Sequence, residues 1–265
     1  MQQNSTPRVE VKTDDSAVKI QRKASAQRVI DYFGPSLPDS RLLCFIDEAS
    51  SPSVRNDLGP ANRALYAPIH DIADLEGWPN CVRDCIYPSD PYGGRSRIID
   101  DLVYLRGSTR VDEVGLTMSL AHELQHAIQH SQTREMWAVN SLVANDLRRE
   151  TIQSLGLEWS DIPIEVEARI VSKRVAECFF GEPRVKQHIE KNIAQPATEG
   201  DRKDWQFVRT LMPSMTIELT GETQRLLNRI RGYRSELEAS LEEKRQNPDY
   251  ADIDLDAFFI PPRIA

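Results

Sequence analysis

The sequence predicts an α+β chain, with a small β-containing N-terminal half that leads into a helical C-terminal half. Three observations carry this. Two short apolar runs bounded by turn residues, RLLCFID at 41–47 and IIDDLVYLR at 98–106, are strand candidates. Beyond residue 110 the apolar positions recur at spacings of three and four, as on a helix face. The helical signals follow the strand signals instead of alternating with them, which favours α+β over α/β.

Composition bounds the answer without giving a function. The chain has 265 residues, enough for one large or two small domains, and 40% of them are hydrophobic, enough for a core. Lys and Arg number 33 against 41 Asp and Glu, a formal net charge of −8, which argues against coating nucleic acid by bulk electrostatics. No stretch approaches the ~20 apolar residues that span a bilayer, and the first residues lack an apolar signal core. Four cysteines are too few for a disulfide scaffold and fit a reducing compartment. The expectation is a cytoplasmic protein with no membrane partner; oligomeric state is not legible.

Residues 1–16 are polar and read as a flexible tail. Val18, Ala26, Val29, Ile30 and Phe33 suit a helix over 16–33, stopped by Gly34 and Pro35. Segments 48–62 and 77–96 are rich in Pro, Gly, Ser, Asn and Asp and read as irregular connections. Helices follow over 111–130 and 134–155, the second stopped by Gly156. Asp161-Ile162-Pro163 predicts an N-cap and an early-turn proline for a helix that ends at Gly181. Its stripe is Ile164, Ala168, Val171, Val175 and Phe179. Shorter helices are expected over 184–193 and 201–211. A charged helix over 222–244 puts Leu226, Leu227, Ile230, Tyr233, Leu237 and Leu241 on one face, and the apolar residues 258–262 should dock.

One short motif carries chemistry. His122-Glu123-Leu124-Gln125-His126 is H-E-x-x-H inside a helical run. Residues i and i+4 stack on one helix face, roughly 5–6 Å apart. Two imidazoles there can converge on one ion at about 2.0–2.1 Å. Glu123, beside the first ligand, can act as general base on a water whose pKa the metal lowers towards ~7. The flanks Leu120, Ala121, Ala127 and Ile128 make the helix dry. His130 continues the i+4 series but lies ~12 Å along the axis from His122, too far to share the ion, and reads as rim or surface.

The run from Ser119 to Ile128 resembles the active-site helix of zincin metallopeptidases. The resemblance covers roughly residues 98–180 and implies a zincin-like fold in which a small N-terminal sheet packs on that helix. It implies Zn2+ as cofactor and a protein or peptide as substrate. It also places a cleft-lining strand just before the helix, at 102–106. Residues 17–200 would form the metallopeptidase domain, and 201–265 a helical C-terminal extension packed on it. Gln129 and Gln132 stand where the metzincin branch has glycine and histidine, so the third ligand should be a carboxylate from a following helix. Glu165-Val-Glu-Ala168 resembles the Glu-x-x-Ala motif of gluzincins, including ImmA/IrrE-like regulatory peptidases, which implies metal ligands His122, His126 and Glu165. Many relatives follow the alanine with Asp or Asn where this chain has Arg169, so Glu167 stays a candidate. Away from the histidines, both glutamates would simply be acids favouring a helix N-terminus.

Cys81 and Cys85 have no partner pair at a zinc-finger spacing; a thiolate holding the enzyme latent is the functional alternative. Cys44 and Cys178 fall on apolar faces and read as core. Tyr104, His188, Arg169 and Arg174 are available as oxyanion donors, and the sequence does not choose. The leading expectation is a zinc endopeptidase with Glu123 as base. The competing one is a non-catalytic zinc-bearing regulatory interaction module.

Overall fold

The computed structural model describes residues 9–13, 19–47, 64–68, 80–86, 99–106, 112–146 and 155–259. The fold is α+β. Strands β1 (Val9–Thr13), β2 (Leu42–Asp47), β3 (Ala64–Pro68) and β4 (Asp101–Arg106) form one sheet in the order β1-β2-β4-β3. The first three in space are parallel; β3 is antiparallel to β4 and forms an edge, with Tyr66 opposite Val103.

β2 and β4 are apolar without alternation because both faces of the sheet are covered. Leu42, Cys44, Ile46, Val103 and Leu105 face the main core. Leu43, Phe45, Leu102 and Tyr104 face a smaller cluster with Val82 and Ile86 of helix α2 (Asn80–Ile86). Helix α1 (Lys19–Phe33) and helix α3 (Glu113–Gln132) cover the main face, burying Ala26, Val29, Leu116, Leu120 and Leu124. Helix α4 (Arg134–Asp146) adds Trp137, Leu142 and Val143 to the same core.

The long helix α5 (Pro163–Phe180) packs along α3, its small residue Ala168 wholly buried. It ends at Gly181, whose φ of +79° and ψ of 150° suit glycine alone. Helices α6 (Glu182–Ala194) and α7 (Glu199–Thr210) pack on each other, and Val185, Ile189 and Val208 meet Val114 and Met118 of α3 in a third cluster. Lys173 fixes the end of α7 by donating to the carbonyls of Val208, Arg209 and Leu211 at 3.3, 3.3 and 2.6 Å. Helices α8 (Leu219–Arg229) and α9 (Arg234–Glu243) send Leu226, Leu227, Leu237 and Leu241 into the main core, so residues beyond 201 share the core of the sheet. Among the described residues no helix is long and apolar enough to cross a membrane.

Several expectations need correction. Val9–Thr13 is a strand, not tail: Val9 and Val11 reach the core while Glu10 and Lys12 alternate with them. α2 lies inside the stretch expected to be irregular; Val82 and Ile86, four apart, bury one face of it against the sheet. Asp161 is not an N-cap. It sits in a 3-10 turn, accepting from the Glu158 N–H, and Ile162 precedes Pro163 as the cap. The helix expected over 222–244 is two, broken at Arg231–Tyr233, where Gly232 weakens the helix by ~1 kcal/mol. Cys178 is exposed rather than core, lying in the last turn of α5. Phe258 and Phe259 dock as expected; residues 48–62, 147–154 and 260–262 lie outside the described residues.

The site-bearing helix α3 is fixed at its start by Asp112, whose carboxylate accepts from the Gly115 N–H at 2.9 Å and meets His188 Nδ1 at 3.0 Å. The His188 contact holds the Asp112 carboxyl at about 2, with burial opposing and the Gly115 N–H adding to it. A carboxyl lowered in the folded state contributes stability above its unfolded value, near 3.8, and loses it as pH falls towards 2. Asp112→Ala should cost about 1 kcal/mol at pH 7 in denaturant unfolding. The gap to wild type should narrow between pH 4 and pH 2; a constant gap would contradict the ion-pair assignment.

Candidate metal centre

The site is built where α3 and α5 meet. Helical spacing puts His122, His126 and Gln129 on the side of α3 that faces α5, and Glu165 lies in the first turn of α5. His122 Nε2 and His126 Nε2 are 3.0 Å apart. Glu165 Oε2 is 3.3 Å from the first and Glu165 Oε1 is 3.2 Å from the second. Among the described residues these three form a cluster able to hold a metal ion. His126 and Glu165 are buried, while His122 lies nearer the surface.

The surrounding hydrogen bonds fix how the His126 ring is presented to the cluster. Gln129 donates from Nε2 to the Ile164 carbonyl at 2.9 Å and to Glu167 Oε2 at 2.7 Å. Both partners are acceptors, so its amide orientation is fixed and its oxygen must face His126 Nδ1, 2.7 Å away. That oxygen can only accept, so Nδ1 carries the hydrogen. In the neutral ring, Nε2 is then a bare lone pair aimed at a carboxylate and a second imidazole. A buried lone pair facing a carboxylate is unfavourable until a proton or a metal ion lies between them. A tetrahedral shell with bonds of about 2.0–2.1 Å separates its ligand atoms by about 3.3 Å, close to the observed spacings. The donor set of two imidazoles and one carboxylate therefore fits a zinc ion.

With no metal ion between them, a proton on His126 fills the same need. Burial works to lower His126, yet the Glu165 charge and hydrogen bond, with help from Glu123 and Gln129, lift it to about 9. Burial would raise Glu165, but His126 and His122 outweigh it and hold the carboxyl well below its usual range. Glu123 is raised chiefly by burial, and by the Glu165 charge, against the pull of His122, His126 and the Tyr66 backbone N–H that donates to it. A raised carboxyl is the better proton acceptor.

The structure separates the two glutamates that the sequence left open. Glu165 faces the histidines. Glu167 accepts from Gln125 at 3.1 Å and from Gln129, tying α5 to α3 behind the cluster. Arg169 donates to Glu165 Oε2 at 3.2 Å and lies 3.6 Å from Asp204 on α7. Of the four oxyanion candidates, Arg169 alone is at the cluster. Tyr104 is buried on the opposite face of the sheet, His188 is bound to Asp112, and Arg174 donates to the Pro213 and Met215 carbonyls.

Other expectations change. Strand β4 cannot line the cleft, because β2 and β3 occupy both its edges; β3 is the strand beside Glu123. His130 is not rim: Tyr66 OH lies 2.7 Å from its Nδ1 and Asp249 Oδ2 lies 3.0 Å from its Nε2. Cys85 packs with the cluster on the far side of the sheet, away from the histidines, and nothing is described of the Cys81 side chain. Sequence reasoning missed Gln129 as the residue that orients His126. Its position three past the second histidine, on the ligand face, was the available signal.

Zinc titration of the purified protein should give one ion per chain. Glu165→Gln should lose stoichiometric binding and Glu167→Gln should keep it; the reverse would reassign the ligand. Gln129→Leu should weaken binding by about 10–100-fold through loss of the ring orientation. Comparisons with protein-family models, with curated proteins and with solved structures find no match for this chain.

Proposed function

We propose that this protein is a zinc-dependent metallopeptidase of zincin-like fold that cleaves internal peptide bonds, with His122, His126 and Glu165 holding the metal and Glu123 as general base. The observation that carries the proposal is the convergence of two imidazoles and one carboxylate within 3.0–3.3 Å beside a second, buried carboxylate. A structural zinc site is closed by four protein ligands; among the described residues this cluster offers three, with the buried Glu123 carboxylate beside them. A bound zinc ion would supply Lewis-acid polarisation and a water that ionises near neutral pH.

The chain's own residues supply the rest. Glu123, held by the Tyr66 N–H, takes a proton from the attacking water and passes it to the leaving amine. Gln129 keeps the hydrogen of His126 on Nδ1, leaving Nε2 free to ligate. Arg169 holds Glu165 from the side away from His126. β3 has β4 as its strand neighbour among the described residues, and its outer edge offers backbone groups to an extended peptide. A reducing, cytoplasmic setting belongs to this reading, since Cys44, Cys85 and Cys178 are free thiols.

Glu123→Gln, nearly isosteric, should retain one zinc per chain and lose peptide hydrolysis by about 10²–10⁴-fold. Full zinc binding with equal turnover, or with none in either protein, would remove the enzyme assignment and leave a zinc-bearing interaction module.

A further inference from the structure

A second polar network, outside the metal cluster, joins the C-terminal segment to the base. Asp249, 3% exposed, lies 3.0 Å from His130 Nε2 through Oδ2 and 2.8 Å from Arg134 Nε through Oδ1. His130 Nδ1 is 2.7 Å from the Tyr66 hydroxyl. That hydroxyl donates to Asp101 Oδ1 at 2.9 Å, and Asp101 stands on β4 opposite Pro68 of β3. The ring of Tyr66 also packs edge-on against Trp137 of α4. Tyr66 is therefore pinned at its side chain to α3, two turns beyond His122. Its own backbone N–H meanwhile donates to Glu123.

The presenting segment is itself rigidly held. Arg245 donates to the carbonyls of Tyr250, Ala251 and Ile253 at 3.3, 2.8 and 3.1 Å. The Asp249 N–H donates to Asn247 Oδ1 at 2.9 Å, and Tyr250, Ile253 and Leu255 are buried in the main core. A buried carboxylate aimed at a histidine of the site-bearing helix is costly to leave without its partners, so this segment resists displacement. Among the described residues β4 is the strand neighbour of this edge strand. The Tyr66–His130 contact is a side-chain bridge between this strand and α3.

We propose that Asp249, His130 and Tyr66 are positioning residues through which the C-terminal segment sets β3 against α3 and aims the Glu123 carboxylate. The kinetic side of this proposal rests on the peptidase reading; the structural side does not. Tyr66→Phe removes the hydroxyl but keeps the ring and the backbone N–H. Asp249→Asn keeps the shape and removes the charge. Both, and the double variant, are made in the full-length, zinc-loaded chain.

Two readouts are taken. The first is exchange of the residue 66 amide hydrogen, followed by NMR without substrate. It should accelerate about tenfold in each variant, while amides of α9 and the zinc content stay unchanged. The second is turnover of a quenched-fluorescent casein. Each single variant should lower kcat about 5- to 20-fold with KM unchanged, and the double variant should be no worse than the poorer single, as for residues acting in series. Unchanged residue 66 exchange, multiplying losses in the double variant, or loss of zinc would overturn the proposal. Faster exchange with no casein cleavage by wild type would support the linkage and count against the peptidase reading instead.

Discussion

Everything at the site depends on one constraint: the Gln129 side chain can sit only one way. With Ile164 O and Glu167 Oε2 both demanding a donor, the amide nitrogen is committed, and its oxygen must take the hydrogen of His126 Nδ1. The opposite ring nitrogen is thereby presented as a lone pair to Glu165 and His122. Such a meeting in a buried place calls for positive charge, which a proton on His126 supplies in the free protein and a metal ion could supply in its place. The arrangement is also economical in elements, since two helices supply the ligands, the orienting amide and its anchors.

The rest of the molecule holds those two helices at the right separation. Ala168 lets α5 come close to α3, and Glu167 bridges to Gln125 and Gln129 across the gap. Asp112 secures the start of α3, and Thr133 closes its end with a 2.8 Å backbone bond and a 2.9 Å hydroxyl bond to the Gln129 carbonyl. The sheet contributes through its antiparallel edge strand, whose Tyr66 reaches Glu123 with its backbone and His130 with its side chain. Arg169 places a positive charge beside the Glu165 carboxylate. It balances buried negative charge with Asp204 on its outer side.

The placing of His122, His126 and Glu123 together was legible in the sequence because one helix fixes their relation: four residues on a helix of 3.6 per turn leave no freedom. Glu165 and Glu167 could not be told apart by the same logic. They lie about 200° apart around α5, and which one reaches the histidines depends on how the helices pack. Gln129 was visible only as the residue that excludes the metzincin pattern; its role needs the Ile164 carbonyl and Glu167, which arrive from 35 and 38 residues away. The long strands β2 and β4 announced themselves as apolar runs. The edge strand did not, because ALYAP is short and ends in proline. As a result the cleft-side strand was assigned to β4, which is enclosed on both sides.

The most direct test is diffraction from zinc-soaked crystals, with anomalous data collected at the zinc edge. The account requires a single strong peak about 2.0–2.2 Å from His122 Nε2, His126 Nε2 and a Glu165 oxygen, with Glu167 still on the two glutamines. A peak coordinated by Glu167, a peak elsewhere on the surface, or no peak between the two imidazoles would contradict it.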